Sequence, residues 1–322
     1  MKINIGIVGY GNLGKSVEQI ILANNRFNLV AIFSRRVVSS KFNTIIETYD
    51  SFVKYKDKID IMILCGGSKS DLEIQTPEIL SFFDCINTFD NHNKILSEYK
   101  KLDSLAKITK HRLIMSCGWD PGIFSMIRAL FQAISLNDKS NPVTFWGKGI
   151  SLGHSEAIRK INGVVDAIQF TIPNKLALSN AKKGIIDKNT PLHFRECFVV
   201  TNEQDKSKIE NDILNIPNYF KGQPTKINFV SSIKLSKLKN KLNHKGEIFY
   251  SFKTIHNSNC KMKFAVSMES NPNFTANIVV SYLNAIINLK ENKICGAFTN
   301  LDIPISYLFL GKDKENLLKK LC

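Results

Sequence analysis

Near its start the chain carries Gly9, Tyr10, Gly11, Asn12, Leu13 and Gly14, a glycine spacing of the kind that seats a pyrophosphate. An apolar run at 3–8 precedes it, and Leu13, Val17, Ile20 and Ile21 continue it as a helical stripe. In such a loop the first glycine permits a tight turn and the second lets backbone approach the phosphates. The third lets helix and strand pack closely, and the helix N-terminus faces the anion. About 20 residues further on, where such folds discriminate between dinucleotides, a second apolar run at 29–33 ends in Ser34, Arg35 and Arg36. An NAD site holds Asp or Glu there, to accept from the ribose 2′-OH. A hydroxyl and two guanidiniums suit a 2′-phosphate instead, since the guanidinium fork binds phosphate through two parallel hydrogen bonds. The expected cofactor is NADP(H). A solvated arginine pair at a strand end is the plainer alternative.

Three polar clusters follow at the ends of further apolar runs: Cys65-Gly66-Gly67-Ser68, Asp90-Asn91-His92 and Trp119-Asp120. Ligands of open α/β sheets bind outside the carboxyl ends of the strands. The two carboxylates at such a mouth suit an ammonium group. Either could instead cap a helix, and Pro121 at a first helical position would make Asp120 a cap. Further on, Thr171, Arg195 and His244 each admit an ordinary reading: an arginine in a strand is usually a surface or ion-pair residue, and a histidine in a polar loop is usually solvated. Residue types alone do not gather these three into one site.

The elements that must position these groups alternate. Strands are expected at 3–8, 29–33, 59–64, 85–89 and 113–116, with helices after the glycine loop, from near Asp71, and along Ile95, Tyr99, Leu102 and Ala106. Alternation of this kind implies an α/β, Rossmann-type, doubly wound parallel sheet. After about residue 140 the rhythm changes. Strands are expected at 143–146, 164–172, 194–201, 227–231, 247–255 and 262–268, the lysine-rich stretch 234–245 reads as a loop, and 274–289 reads as one apolar helix. That pattern suits an α+β substrate and dimerisation domain with a mixed open sheet. The expected division is 1–120 for the dinucleotide domain and 121–298 for the substrate domain, with 299–322 returning to the first.

A chain of 322 residues accommodates two domains. The net charge of +16 raises nucleic-acid binding, but the lysines are spread along the chain rather than gathered in a stripe, so no nucleic-acid partner is expected. A basic surface also draws carboxylate-rich small molecules. The seven cysteines show no metal-ligand spacing, and no metal is expected. No apolar run is long enough to span a membrane, and Met1-Lys2 leads into a strand and not a signal peptide, so no membrane partner and a cytoplasmic location are expected.

The order and spacing of the glycine loop, Phe33-Ser34-Arg35-Arg36, Phe89-Asp90-Asn91-His92, Gly118-Trp119-Asp120-Pro121-Gly122, Phe145-Trp146-Gly147 and Gly153-His154-Ser155 closely resemble the meso-diaminopimelate dehydrogenase family, over nearly the whole chain. The resemblance implies a homodimer whose dinucleotide and substrate domains close on one another. It implies NADP-dependent oxidative deamination of meso-2,6-diaminopimelate to L-2-amino-6-oxopimelate and ammonia. It casts Asp90 and Asp120 as partners of the reacting amine and Trp119 as a side chain defining that end. Ser151, Leu152 and Gly153 resemble the stretch that meets the D-end carboxylate. Thr171, Arg195 and His244 resemble the clamp on the distant L-centre, with Asn271 beside them, and Ser68 lies where the family's loop approaches the cofactor. Leu152 departs from the polar residue that many members carry before Gly-His-Ser, which bears on the shape of the pocket and not on the reaction class.

Two other readings share parts of this pattern. One is another NADP-dependent dehydrogenase or reductase of the aspartate pathway, which would not need Trp-Asp-Pro-Gly with a distal arginine and histidine. The other is a non-catalytic NADP sensor with a basic, nucleic-acid-binding surface.

Overall fold

The computed structural model describes residues 2–68, 71–135, 140–187, 189–204, 206–239 and 243–321. The chain divides into two units, Met1–Ile127 with Pro272–Cys322, and Arg128–Asn271.

The first unit is built from β1 (Ile3–Val8), α1 (Asn12–Leu22), β2 (Phe27–Ser34), β3 (Ile46–Thr48), β4 (Ile61–Leu64), α2 (Leu72–Leu80), β5 (Asp84–Asn87), α3 (Ile95–Thr109) and β6 (Arg112–Ile114). The sheet runs β3-β2-β1-β4-β5-β6 and ends in a seventh strand, Gly296–Phe298; every pairing is parallel. Strands covered on both faces read as unbroken apolar runs, and Ile61–Leu64 is buried at all four positions. The strand order reverses between β1 and β4, so the loops after these two strands flank the crevice at which such sheets bind ligands. The expected third strand is thus the fourth in the chain, because the short β3 precedes it at the sheet edge.

Two further expectations are corrected in this unit. The stretch 274–289 is not one helix but two, Asn271–Ser281 and Leu283–Glu291. At the break the Tyr282 N–H is shared between the carbonyls of Ile278 and Val279, and Ala285 N–H bonds back to Tyr282 at 3.0 Å, the tighter three-residue register. The return of the chain to the first unit begins at Pro272 rather than near 299, because the Gly296–Phe298 strand pairs with β6.

The second unit holds β7 (Val143–Trp146), β8 (Gly149–Ile150), β9 (Val164–Pro173), β10 (His193–Thr201), β11 (Thr225–Phe229), β12 (His244–Lys253) and β13 (Asn259–Met268). These form two sheets where the sequence suggests one. A mixed sheet runs β11-β10-β9-β8, and an antiparallel one runs β13-β12-β7. The chain changes sheets at Gly147, whose φ is +109° and whose N–H donates to Lys245 O at 2.8 Å. A Cβ there would lie 2.1 Å from Thr171 O, so the crossing needs glycine. Each sheet has its own core: Ile158, Cys197, Val199 and Phe220 on one, Phe145, Ala177, Ala181 and Phe249 on the other. The lysine-rich stretch is not a loop. Ser232–Lys239 is a helix that buries Leu235 against Ile168 and Val200, residues 240–242 lie outside the described residues, and β12 begins at His244.

Candidate active site and dinucleotide seat

Gly9 turns the chain out of β1 with φ +90°, and its N–H donates to Phe33 O at 2.9 Å. A Cβ on Gly14 would lie 2.2 Å from Gly9 O, so helix and loop touch backbone to backbone. Gly11 differs, since a Cβ there would meet nothing within 4 Å. Packing therefore does not demand a glycine at 11, whereas a phosphate lying on the backbone does. α1 starts after Gly11 with no side-chain cap and no acidic residue in its first turn, which leaves its positive end to an anion. These features fit the pyrophosphate of NADP(H). Tyr10 is buried and spends its hydroxyl on Glu18, Asn12 O accepts from Ser16 Oγ at 2.9 Å, and Leu13 is half-buried. Glu18 is fully buried and also accepts from Ser40 at 2.6 Å and Thr44 at 2.5 Å, tying α1 to the loop after β2. A lone acidic residue beside the apolar stripe of α1 was the one trace of this knot in the sequence.

At the end of β2, Ser34 Oγ donates to Arg36 O at 2.9 Å and accepts from Arg36 N–H at 3.1 Å, so it shapes the turn that presents the arginines. Arg35 forms an ion pair with Asp71, whose other oxygen accepts from Gly67 N–H at 3.0 Å. Arg36 is exposed. The loop after β4 thus orients one of the two guanidiniums.

Cys65, Gly66, Gly67 and Ser68 follow β4. Gly66 lies so close to Asp71 that a Cβ would come within 2.7 Å of it. Burial pushes the Cys65 thiol up to about 12, so it remains a thiol. Ser68 Oγ accepts the N–H of Asp90 at 2.9 Å. Asp90 is exposed and does not cap α3, whose N-cap residue is Lys94. Trp119 is buried edge-on to Phe124 at 5.1 Å, and Asp120 beside it is half-buried. One residue absent from the sequence reading joins these loops. The Oδ1 of buried Asn87 accepts from Phe89 N–H at 3.2 Å and Ser116 N–H at 3.1 Å.

The second unit brings together residues that the sequence alone leaves apart. Thr171 faces Arg195 across β9 and β10, Gly149 faces Thr171 from β8, and the His244 ring covers Gly149, where a Cβ would lie 2.0 Å from its Cδ2. His244 is 5% exposed and opens β12, so it is neither solvated nor in a loop. Its Nδ1 lies 2.9 Å from Lys245 O, and burial lowers its pKa. Arg195 Nη1 donates to Gln223 Oε1 at 2.9 Å; its Nε is buried with no partner, and no carboxylate pairs with it among the described residues. Burial lowers its pKa too. A half-buried guanidinium without a counter-charge has the chemistry to pair with a carboxylate.

Ser151 leads into the helix Leu152–Arg159. Its N–H donates to Gln169 O at 2.9 Å, and its Oγ lies 2.8 Å from His154 Nδ1. Leu152 is 57% exposed, and Gly153 has room for a Cβ, which would sit 3.9 Å from Tyr219. Gln169 is fully buried and donates from Nε2 to Thr171 Oγ1 at 3.3 Å. Sequence reasoning missed Gln169, Gln223 and His193. For Gln169 a signal existed: a polar residue two positions before Thr171 shares its strand face. Asn271 begins the helix Asn271–Ser281. Among the described residues no cluster of three or more His, Cys, Asp or Glu could hold a metal ion.

Comparison with known proteins adds the following. Residues 118–270 match the model of the diaminopimelic acid dehydrogenase C-terminal domain. Meso-diaminopimelate D-dehydrogenase of Acetivibrio thermocellus is 41% identical, with 99% of this chain and 98% of that one covered. Among solved structures, DAP dehydrogenase of C. glutamicum in complex with DAP superposes with a TM-score of 0.92 at 33% identity, covering 100% of this chain and 99% of that one. An engineered D-amino acid dehydrogenase bound to NADP+ gives the same TM-score and identity, with both chains covered in full.

Proposed function

The chain belongs to the meso-diaminopimelate dehydrogenase family, and from that premise we propose that it deaminates the D-centre of meso-2,6-diaminopimelate reversibly, giving L-2-amino-6-oxopimelate, ammonia and NADPH. The observation that carries this reading is the half-buried Arg195 guanidinium beside Thr171, which pairs with no carboxylate among the described residues.

The substrate has two chemically identical ends of opposite chirality, so no single contact tells them apart. Holding an amine and a carboxylate at each end does, because only one arrangement of chiralities satisfies all the contacts. Arg195 takes the remote carboxylate as a fork. Gln169 donates to Thr171 Oγ1, which leaves the Thr171 hydroxyl hydrogen to turn toward that carboxylate. His244 and Asn271 are assigned to the L-end, and Trp119 and the 151–153 stretch are each assigned to the D-end. Asp90 and Asp120 hold the ammonium. One of them, or a water that they orient, removes its proton so that the nitrogen lone pair can form the C=N bond as hydride leaves the carbon. NADP+ would be held by the glycine loop and by Arg35-Arg36, and would supply the hydride acceptor. Water then adds to the imine, and ammonia departs. Remote binding energy orients the D-carbon, an effect worth at most about 7–11 kcal/mol.

The enzyme acts as a homodimer in the cytoplasm. Among the described residues no helix is long and apolar enough to cross a membrane. The decisive experiment follows formation of reduced nicotinamide with the meso, L,L and D,D isomers, each with NADP+ and NAD+. Turnover of the meso isomer with NADP+ is expected. NADP(H) binding without turnover of any isomer would refute the reading.

A further inference from the structure

We propose that Asn87 is a positioning residue that fixes the spacing of the two carboxylate-bearing loops, 89–90 and 116–120. The inference rests on the amine-holding roles assigned above to Asp90 and Asp120.

The β5/β6 ladder ends at Ile86 and Ile114. Beyond it the two loops would part, yet both return to the last residue of β5. Asn87 Oδ1 accepts from Phe89 N–H at 3.2 Å, one residue before Asp90, and from Ser116 N–H at 3.1 Å. Its backbone carbonyl accepts from Cys117 N–H at 2.9 Å, three residues before Asp120. Ser116 takes a left-handed φ of +57°, uncommon for a residue with a side chain, and in that conformation delivers its amide to Asn87. The Asn87 side chain is itself locked. Its Nδ2 donates to Thr76 Oγ1 at 3.1 Å, which forces Oδ1 toward the loop amides, and the two residues are each 1% exposed. Water is excluded from this junction, so nothing else supplies the acceptor if the amide is removed. Asp90 is held a second time, through its N–H to Ser68 Oγ on the cofactor loop. One buried amide therefore spaces both loops, and the Ser68 hydroxyl ties one of them to the dinucleotide seat.

The test compares Asn87→Leu, Asn87→Asp, Thr76→Val and Thr76→Ser, alone and with Asp120→Asn, in the full-length enzyme. The readouts are kcat and KM for meso-diaminopimelate and the NADPH dissociation constant. A misplacement near 1 Å costs about 100-fold in rate, and that loss is expected in kcat for Asn87→Leu, with NADPH affinity retained. Asn87→Asp keeps the acceptor and is expected to recover most of the rate. Should Asn87→Leu not fold, Thr76→Val, which frees the amide to flip, is expected to lower kcat while Thr76→Ser does not. In the Asp120→Asn background Asn87→Leu is expected to cost clearly less than it does alone, since part of its effect runs through Asp120 and the rest through Asp90. A wild-type kcat in Asn87→Leu, or in Thr76→Val where Asn87→Leu does not fold, overturns the proposal, as do fully additive losses with Asp120→Asn. An inactive wild type overturns the functional reading itself.

Discussion

His193 accepts the backbone N–H of Trp146 at its Nε2, at 2.8 Å, and its ring stacks on the Trp146 indole. An accepting Nε2 carries no proton, so the ring is neutral with its hydrogen on Nδ1. Burial, then the charges of Arg195 and His244, lower its pKa to about 4. Below pH 6.5 the unfolded chain takes up a proton here that the folded chain refuses. The contribution is therefore whole above about pH 6.5 and is lost as pH falls toward 4, at most about 3 kcal/mol. The His244 pKa is also lowered by burial, so it adds loss in the same direction. The melting temperature is expected to fall between pH 6.5 and 4, and His193→Gln is expected to flatten that fall. A wild-type curve level across this window would contradict the assignment.

Arg195→Met is expected to raise KM for the amino substrate about 10–100-fold, the worth of a charge-assisted hydrogen bond or two, and to leave NADPH affinity alone. Because Arg195 pairs with no counter-charge among the described residues, its loss is not expected to lower the melting temperature. Steady-state kinetics beside a thermal melt separates the two effects; a lower melting temperature with unchanged KM would make Arg195 structural.

Asp120→Asn and Asp90→Asn are each expected to reduce kcat by about 10²–10⁴-fold, the range of acid–base and electrostatic assistance. Single-turnover hydride transfer measures this directly. A near-normal rate in either variant would remove that residue from the amine site.

Neutralising Arg35 and Arg36 together is expected to weaken NADP(H) binding while sparing NAD(H), as a lost 2′-phosphate contact requires. Asp71→Asn frees Arg35 from its partner and is expected to shift NADP(H) affinity by less than the double variant. Titration of each nucleotide gives the four affinities; equal losses for both nucleotides would point to general damage.

Gly11→Ala and Gly14→Ala are expected to fail differently. The first meets open space, so the fold keeps its melting temperature while the nucleotide loses its seat. The second drives a methyl to 2.2 Å from Gly9 O and is expected to lower the melting temperature. Equal melting temperatures in the two variants would mean that the loop relaxes.

The sequence by itself determined the central parallel sheet of the first unit, though not its edge strands or the two helices of 271–291. A parallel sheet covered on both faces needs unbroken apolar strands, and the glycine spacing with Ser34-Arg35-Arg36 is local chemistry, readable within a few turns of chain. Asp90 and Asp120 were singled out for a related reason, as polar residues in the loops that follow such strands. Tertiary structure decided the rest. Thr171, Arg195 and His244 come from three strands, and only the β9/β10 register and the close packing of His244 on Gly149 bring them together. Asn87 looked like any strand-end asparagine until the fold set Thr76 on one side of its amide and Ser116 on the other. Arg195 looked like a surface arginine until the fold half-buried it with no carboxylate paired to it among the described residues. Register, burial and hydrogen-bond partners belong to residue pairs far apart in the chain, so no local pattern encodes them.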